Sequence, residues 1–230
     1  MLADRPTGQV TVVIPARDEA ARIGACLASV AAAARLVPVP VAVLVVADSC
    51  TDSTAALAAR HGAEVLEVAV GNAGAARAAG CDRALAGGTD GLWLAHTDAD
   101  STVPAGWLAA QLAGAQAGAD VLAGEIVVDN WRDWPAELGG RYRRVYRHER
   151  RQGVRHVHGA NLGLSAWAYR TVGGFPPVPV GEDRALVTAA EAAGLTVWYP
   201  AGAPVTTSGR RVARVSGGGF HDYLRRLARC

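Results

Sequence analysis

The sequence predicts an α/β fold, a three-layer α/β/α domain in which a mostly parallel central sheet is covered by helices on both faces. Three observations carry the prediction. Several short runs are apolar at nearly every position, the pattern of strands buried on both faces. Each of the first four runs is followed by a segment whose apolar residues recur at helical spacing, so strand and helix alternate in the manner of βαβ units. Two of the runs, moreover, end abruptly in carboxylates, at Asp48 and at Asp98 and Asp100. Right-handed crossovers would gather those polar ends along one edge of the sheet, where ligands bind in such folds.

The elements follow in order. Residues 10–14 are a nearly continuous β-branched strand stopped by Pro15, and Asp18 and Glu19 suit the start of a helix. Ile23, Leu27, Val30 and Ala34 then recur at helical spacing until Pro38 and Pro40 interrupt them. Residues 41–47 form a second strand, and the polar turn 48–53 opens a second helix. Strand 63–70, helix 72–86, strand 92–96 and helix 104–117 continue the alternation. After Asp120 the rhythm changes. A strand is expected over 121–128, and an arginine-rich helix over 134–152 with Trp134, Leu138, Tyr142, Val145 and Tyr146 near one face. A short strand over 161–165, a Gly/Pro loop at 173–177, a helix from Glu182 through Ala193, a strand over 196–199 and a final helix over 221–229 complete the chain.

The 230 residues suit one domain, 1–230, with a ligand-binding half over about 8–118 and a second half with the tail over about 119–230. The hydrophobic fraction of 50% is inflated by alanine, and no uncharged apolar run approaches the roughly 20 residues of a membrane-spanning helix. Residues 1–6 lack the apolar core of a signal peptide, so a soluble cytoplasmic protein is expected, with the inner face of a membrane as an alternative location. Cys26, Cys50, Cys81 and Cys230 have no Cys-x-x-Cys spacing and are expected as free thiols.

All 23 basic residues are arginine, and the net charge of +2 hides a segregation. Residues 141–155 hold seven arginines and one glutamate, net +6, which leaves the remainder at −4. With Trp131, Trp134, Tyr142 and Tyr146 nearby, that helix has the composition of a membrane-surface element. The preferred reading is plainer: its aromatic face packs on the sheet while Arg143, Arg147 and Arg151 form a solvated stripe and Glu149 pairs locally. No nucleic-acid partner is expected.

The most informative stretch is 92–101. An apolar strand ends in two carboxylates one residue apart, and alternation along an extended chain points Asp98 and Asp100 to the same side. Adjacent carboxylates repel, and a hard divalent cation, Mg²⁺ or Mn²⁺, with open positions for a diphosphate would relieve that repulsion. The competing reading is a polar loop in which one acid caps the following helix.

Several local patterns coincide in order. They are Val13-Ile14-Pro15-Ala16-Arg17-Asp18-Glu19 and the segment from Val45 through Asp48-Ser49-Cys50-Thr51-Asp52 to Thr54, followed by Asp98-Ala99-Asp100, His158-Gly159-Ala160-Asn161 and Gly181-Glu182-Asp183. Together they resemble the family 2 glycosyltransferases with the Rossmann-like GT-A fold, over about 10–199. The resemblance implies transfer of a sugar from a nucleotide-diphosphate donor to an acceptor hydroxyl, with a small molecule, a glycan or a lipid-linked compound as acceptor. It implies a donor side made of Pro15, Ala16, Arg17, Glu19, Asp48, Arg77, Asp98, Ala99 and Asp100. Asp98 and Asp100 would hold the cation, with Asp100 the more direct ligand. Gly159, Ala160, Asn161 and Glu182 would form the acceptor side, and Asp183 would be the catalytic base of an inverting displacement.

Each assignment has a structural competitor. Asp48 reads as an acceptor for a base N–H or as a helix cap, a role that Asp52 fits better. Glu182 and Asp183 read as catalytic groups or as acids favoured by a helix N-terminus. His96 is expected to pack beside the site, His156 and His158 to line the acceptor side, and His221 is either a late metal ligand or an exposed helix start. Arg210 and Arg211 have the geometry to bridge a leaving diphosphate. Two other function classes compete with glycosyl transfer. A sugar-phosphate nucleotidyltransferase would need a Gly-rich basic loop directly after the first strand, which Pro15-Ala16-Arg17-Asp18-Glu19 is not. A non-catalytic module binding nucleotide sugar or a membrane surface would have no use for Asp98, Asp100 and Asp183 together.

Overall fold

The β-branched run after Gly8 forms β1 (Gln9–Ala16) at the middle of a sheet, in a computed structural model that describes residues 8–212 and 219–229. β1 pairs in parallel with β2 (Val41–Asp48) on one side and β4 (Leu92–His96) on the other, and β2 pairs with β3 (Glu64–Val68). Beyond β4 lie β7 (Leu162–Ser165), β5 (Val121–Ala123) and β8 (Val197–Trp198), giving seven strands in the order β3-β2-β1-β4-β7-β5-β8. β7 alone runs antiparallel to its neighbours, so the sheet is mostly parallel, as expected.

Side chains alternate between two cores because successive residues of a strand face opposite sides. Val12 and Ile14 meet α1 (Ile23–Ala34), α2 (Thr54–Arg60) and α4 (Trp107–Gln116) on one face. Val13, Leu44 and Leu94 meet α3 (Ala73–Leu85), α6 (Ala166–Thr171) and α7 (Glu182–Ala192) on the other. Trp93 and Trp107 are fully enclosed with their indole N–H groups satisfied by Gln111 at 2.7 Å and Asn161 at 2.9 Å. Such rings give large apolar burial without an orphaned donor.

The antiparallel β7 is what completes the binding edge. The first residue of β7, Leu162, pairs with His96 at the end of β4, so the turn over Gly159–Asn161 lies beside the loop that carries Asp98. α7 leads into β8, which runs parallel to β5, and this places the start of α7 at that same edge.

Four expectations need correction. Residues 121–128 are not one strand: β5 stays in the main sheet, whereas β6 (Ile126–Val128) joins β9 (Val205–Thr207) in a separate two-stranded sheet. The break falls where the Gly124 N–H donates to the Asn161 carbonyl and the Asn161 side chain donates to the Glu125 carbonyl. The arginine-rich helix is α5 (Leu138–Arg151), shorter at its start because Trp134 turns in to donate to the Gly209 carbonyl. Its aromatic face packs on α8 (Phe220–Arg229) and not on the sheet, with Leu138, Tyr142 and Tyr146 against Leu224. Glu149 pairs with Tyr223 and His156 in place of a neighbouring arginine, while Arg143, Arg147 and Arg151 are exposed as expected. Strand β9 and helix α6 were not foreseen.

Cys26, Cys50 and Cys81 are free thiols; Cys230 and residues 1–6 lie outside the described residues. No helix among the described residues is long and apolar enough to cross a membrane.

Candidate active site

The strand ends, the Gly159–Asn161 turn and the start of α7 surround one cavity of about 660 Å³, a volume suited to a small-molecule ligand. Pro15, Ala16, Arg17 and Glu19 line it from the end of β1, Asp48 from β2, Arg77 from α3, and Asp98, Ala99 and Asp100 from the end of β4. Gly159, Ala160, Glu182 and Asp183 close it from the second half of the chain. Of the residues expected on the donor and acceptor sides, Asn161 alone is not on the wall. Its amide is spent inside the fold, accepting from Trp107 and donating to the carbonyls of Glu125 and Ala203. It therefore fixes the turn and does not face the acceptor side, where it was expected.

Arg77 joins the two halves. Its guanidinium donates to Asp98 at 2.5 Å and to Glu182, in a side chain only 5% exposed. Burial alone would pull its pKa down, but Asp98 and Glu182 overcome this and leave it raised. Gly159 packs directly on the guanidinium; a Cβ there would lie 2.6 Å from its central carbon and would push Arg77 from its place. Arg77 was expected beside a base or diphosphate, and the structure places it between two carboxylates. Glu182, correspondingly, orients a neighbouring arginine. Burial pushes its carboxyl up and Arg77 opposes that shift. A signal was present in the sequence: Arg77 shares the helical face of Gly74, Gly80 and Cys81, all buried, and a charge on a buried face needs partners.

Asp100 is the more enclosed of the paired acids, and Arg210 holds it at 3.0 Å. Burial lifts its pKa to about 6 against the pull of Arg210, with Asp98 and Glu19 adding to the rise. Neither acid caps α4, whose N-cap is Gly106 with no side-chain bond. Asp48, on the wall, accepts backbone N–H groups from Val70, Gly71 and Asn72 at 2.9 Å each and so shapes the loop after β3. It is not a helix cap; the N-cap of α2 is Ser53, and Asp52 just before it accepts from the Thr54 N–H. Asp183 accepts from the Gly159 N–H at 2.7 Å and from the Arg184 N–H at 2.7 Å, which fixes its carboxylate beside the turn that borders Arg77.

Beyond Asp183 the cavity is aromatic. Tyr146 stacks on His156 with ring centres 4.1 Å apart, His156 and His158 lie parallel, and Phe220 meets His158 edge-on. Burial first, then the charge of His156, lowers the His158 pKa to about 3, so the His158 ring is uncharged at neutral pH, with Glu149 beside His156 on the same wall. Periodicity assigned Tyr146 to the core and gave no sign that Phe220 and Tyr223, from the tail, reach the cavity. His96 is fully buried against Phe175 and Cys81, packed behind the site as expected. His221 lines the cavity with an Nε2 that has no hydrogen-bond partner. Arg211 lies over the Trp134 ring, away from the acids.

Among the described residues, the one group of three potential ligand atoms within 4.8 Å is Asp18, Cys50 and Asp52. One Asp18 oxygen accepts from Thr51 and Asp52, both Asp52 oxygens accept from Ala20 and Thr54, and these bonds tie the loops after β1 and β2 together. That group is a loop scaffold. Asp98 and Asp100, by contrast, face the cavity with donor atoms of the type that Mg²⁺ and Mn²⁺ prefer.

The family model of glycosyl transferase family 2 matches residues 11–172. Among solved structures the chain is similar to S. aureus TarS 1–349 in complex with UDP-GlcNAc, at 16% identity and a TM-score of 0.69 over 96% of this chain and 65% of that one. It is also similar to the mannosyltransferase PcManGT from Pyrobaculum calidifontis in complex with GDP-Man and Mn²⁺, at 21% identity and a TM-score of 0.60, covering 96% of this chain and 62% of that one. A mycobacterial protein matches at 19% identity and a TM-score of 0.57, covering 88% and 65%. The chain thus spans less than two thirds of the length of each. No curated protein matches by sequence.

Proposed function

Since this chain belongs to glycosyl transferase family 2 and has the GT-A fold, we propose that it transfers a sugar from a nucleotide-diphosphate donor to an acceptor hydroxyl with inversion at the anomeric carbon. One observation carries the reading. Acids from the end of β4 and from the start of α7, far apart in sequence, converge on one cavity and are tied together through Arg77.

The donor lies against the ends of β1 and β2, with Pro15, Ala16 and Arg17 along base and ribose and Asp48 at the base edge. Asp98 and Asp100 fit a divalent cation by donor chemistry, which would neutralise charge developing on the leaving diphosphate. His221, on the same wall, is a further candidate ligand. Asp183 takes the proton of the acceptor hydroxyl as its oxygen bonds to the anomeric carbon, while the bond from that carbon to the diphosphate oxygen breaks on the opposite face. Gly159 and Ala160 let the acceptor approach, and the neutral stack of Tyr146, His156 and His158 gives it a flat surface to lie on. That surface suits the sugar ring of a small molecule, a glycan or a lipid-linked acceptor. The exposed arginine stripe of α5 is read as a solvated face, in keeping with a cytoplasmic enzyme.

Family membership weighs against nucleotidyl transfer, and the position of Asp183 on the cavity wall weighs against a module without turnover. Thermal shift with a panel of nucleoside diphosphates tests the reading. UDP or GDP at about 100 times Kd, with Mn²⁺, should add roughly 2.7 kcal/mol and raise Tm by about 5–10 °C, and EDTA should cancel much of the shift. Absence of a shift with every nucleoside diphosphate would refute a donor site here.

A further inference from the structure

Arg210 follows β9 on a segment whose backbone is held from three directions. The Gly209 N–H donates to Asp129 at 2.8 Å, the Gly209 carbonyl accepts from Trp134 at 2.7 Å, and Thr206 bridges to Thr102 on the loop that carries the paired acids. A Cβ at Gly209 would lie 1.9 Å from the Asn130 carbonyl, so this close approach admits only glycine. From that base the guanidinium reaches across the cavity wall to Glu19 at 2.5 Å and Asp100 at 3.0 Å. Its side chain is 20% exposed, and its Nε is enclosed without a hydrogen-bond partner.

Glu19 and Asp100 come from different strand ends; Glu19 is buried and the Asp100 side chain is only 9% exposed. Two carboxylates brought together out of water need a counter-charge, and Arg210 supplies it. The same Asp100 carboxylate is one that a divalent cation in the proposed donor site would use. A guanidinium and a dication repel, so both cannot sit on Asp100 at full strength. A diphosphate, on the other hand, offers the planar fork of an arginine a better matched anion.

We infer that Arg210 is an exchangeable counter-ion of the donor site: it occupies Glu19 and Asp100, and it turns to the diphosphate as donor and cation arrive. The inference rests on the donor-site reading above and adds a consequence to it. Cation and nucleoside diphosphate must bind with positive coupling, because each favours the arrangement in which Arg210 has left Asp100.

The test is Mn²⁺ binding at pH 8, read by electron paramagnetic resonance of free Mn²⁺, without and with saturating UDP or GDP. In the wild type the nucleoside diphosphate should tighten Mn²⁺ binding by about 5- to 150-fold, the usual range of coupling between sites. Arg210→Gln should bind Mn²⁺ alone about tenfold more tightly than the wild type and lose the share of the coupling that Arg210 carries, keeping what direct contact between diphosphate and cation supplies. Arg210→Lys, which keeps the charge but not the fork, should bind Mn²⁺ alone as weakly as the wild type and couple less. Melting curves confirm that each variant is folded, and Arg210→Lys carries the test if Arg210→Gln is not. Mn²⁺ binding that is unchanged or weaker in Arg210→Gln, or full coupling in Arg210→Lys, overturns the exchange. Failure of UDP and GDP to bind the wild type with Mn²⁺ overturns the donor-site reading instead.

Discussion

Two arginines serve the same cavity with the same grammar. Arg77 links Asp98 to Glu182, and Arg210 links Asp100 to Glu19. What lies behind each one separates their roles. Arg77 grows from α3 into the space between the sheet and α7, is 5% exposed, and has the Gly159 backbone pressed on its guanidinium. Arg210 stands on a loop, with a fifth of its side chain open to the cavity. A guanidinium walled in by helix, turn and glycine has nowhere to go and acts as an internal strut. One placed at the end of a pinned segment, with its tip toward an open cavity, can change partners. Ion pairs that look alike on paper thus divide into structure and mechanism according to their surroundings.

The largest expected effect tests the strut. Arg77→Met leaves Asp98 and Glu182 buried or half-buried without their counter-charge and should cost about 3–5 kcal/mol in urea unfolding, the usual penalty for breaking a buried pair from one side. A loss no greater than that of Arg210→Gln would erase the distinction drawn here.

Next in size is Asp183→Asn, which acts beside the strut without touching it. The amide keeps the Gly159 N–H bond through its oxygen but cannot accept the acceptor's proton. Turnover should fall by roughly two or more orders of magnitude, about 2.7 kcal/mol in the barrier, with donor affinity nearly unchanged. Near-normal turnover would remove Asp183 from the chemistry and with it the argument for inversion.

The two arginines also mark how far the sequence could be read. β1, β2 and β4 were legible because 10–14, 41–47 and 92–96 are apolar at nearly every position, the pattern of strands buried on both faces. The acids at the end of β4 were legible for a related reason: carboxylates where an apolar run stops must face either water or a ligand. β7 was found as a strand, but its antiparallel insertion between β4 and β5 was not, since four residues carry no signal of direction and the pairing partners lie about 40 and 70 residues away. β9 is three residues set by its pairing with β6 and Thr102. Asn161 was misassigned because a polar residue in a turn looks the same whether it serves a ligand or, as here, Trp107 and Glu125. Arg77 and Arg210 were recognised as cations near the donor, yet which carboxylates they hold is decided only when α3, α7 and the segment after β9 meet. Long-range pairing of charges is a tertiary property.

Both arginines matter because of the paired acids, Asp98 and Asp100, which in the proposed function hold a cation for a nucleotide-diphosphate donor. Asp100 can be removed with little harm to the fold. An acid whose folded pKa is raised, here from 3.8 to about 6, binds its proton more tightly when folded, so stability is lost as pH rises through that window. At neutral pH the ionised Asp100 is therefore a net liability to folding, and Arg210 keeps Glu19 as a partner in its absence. The most direct measurement is calorimetric titration of UDP and GDP, with Mn²⁺ and with EDTA, into wild type and Asp100→Ala. Asp100→Ala should melt within about a degree of the wild type or above it, and should lose the Mn²⁺-dependent part of nucleoside-diphosphate affinity. Affinity that is unchanged both by Asp100→Ala and by EDTA would contradict the cation site and the donor geometry built on it.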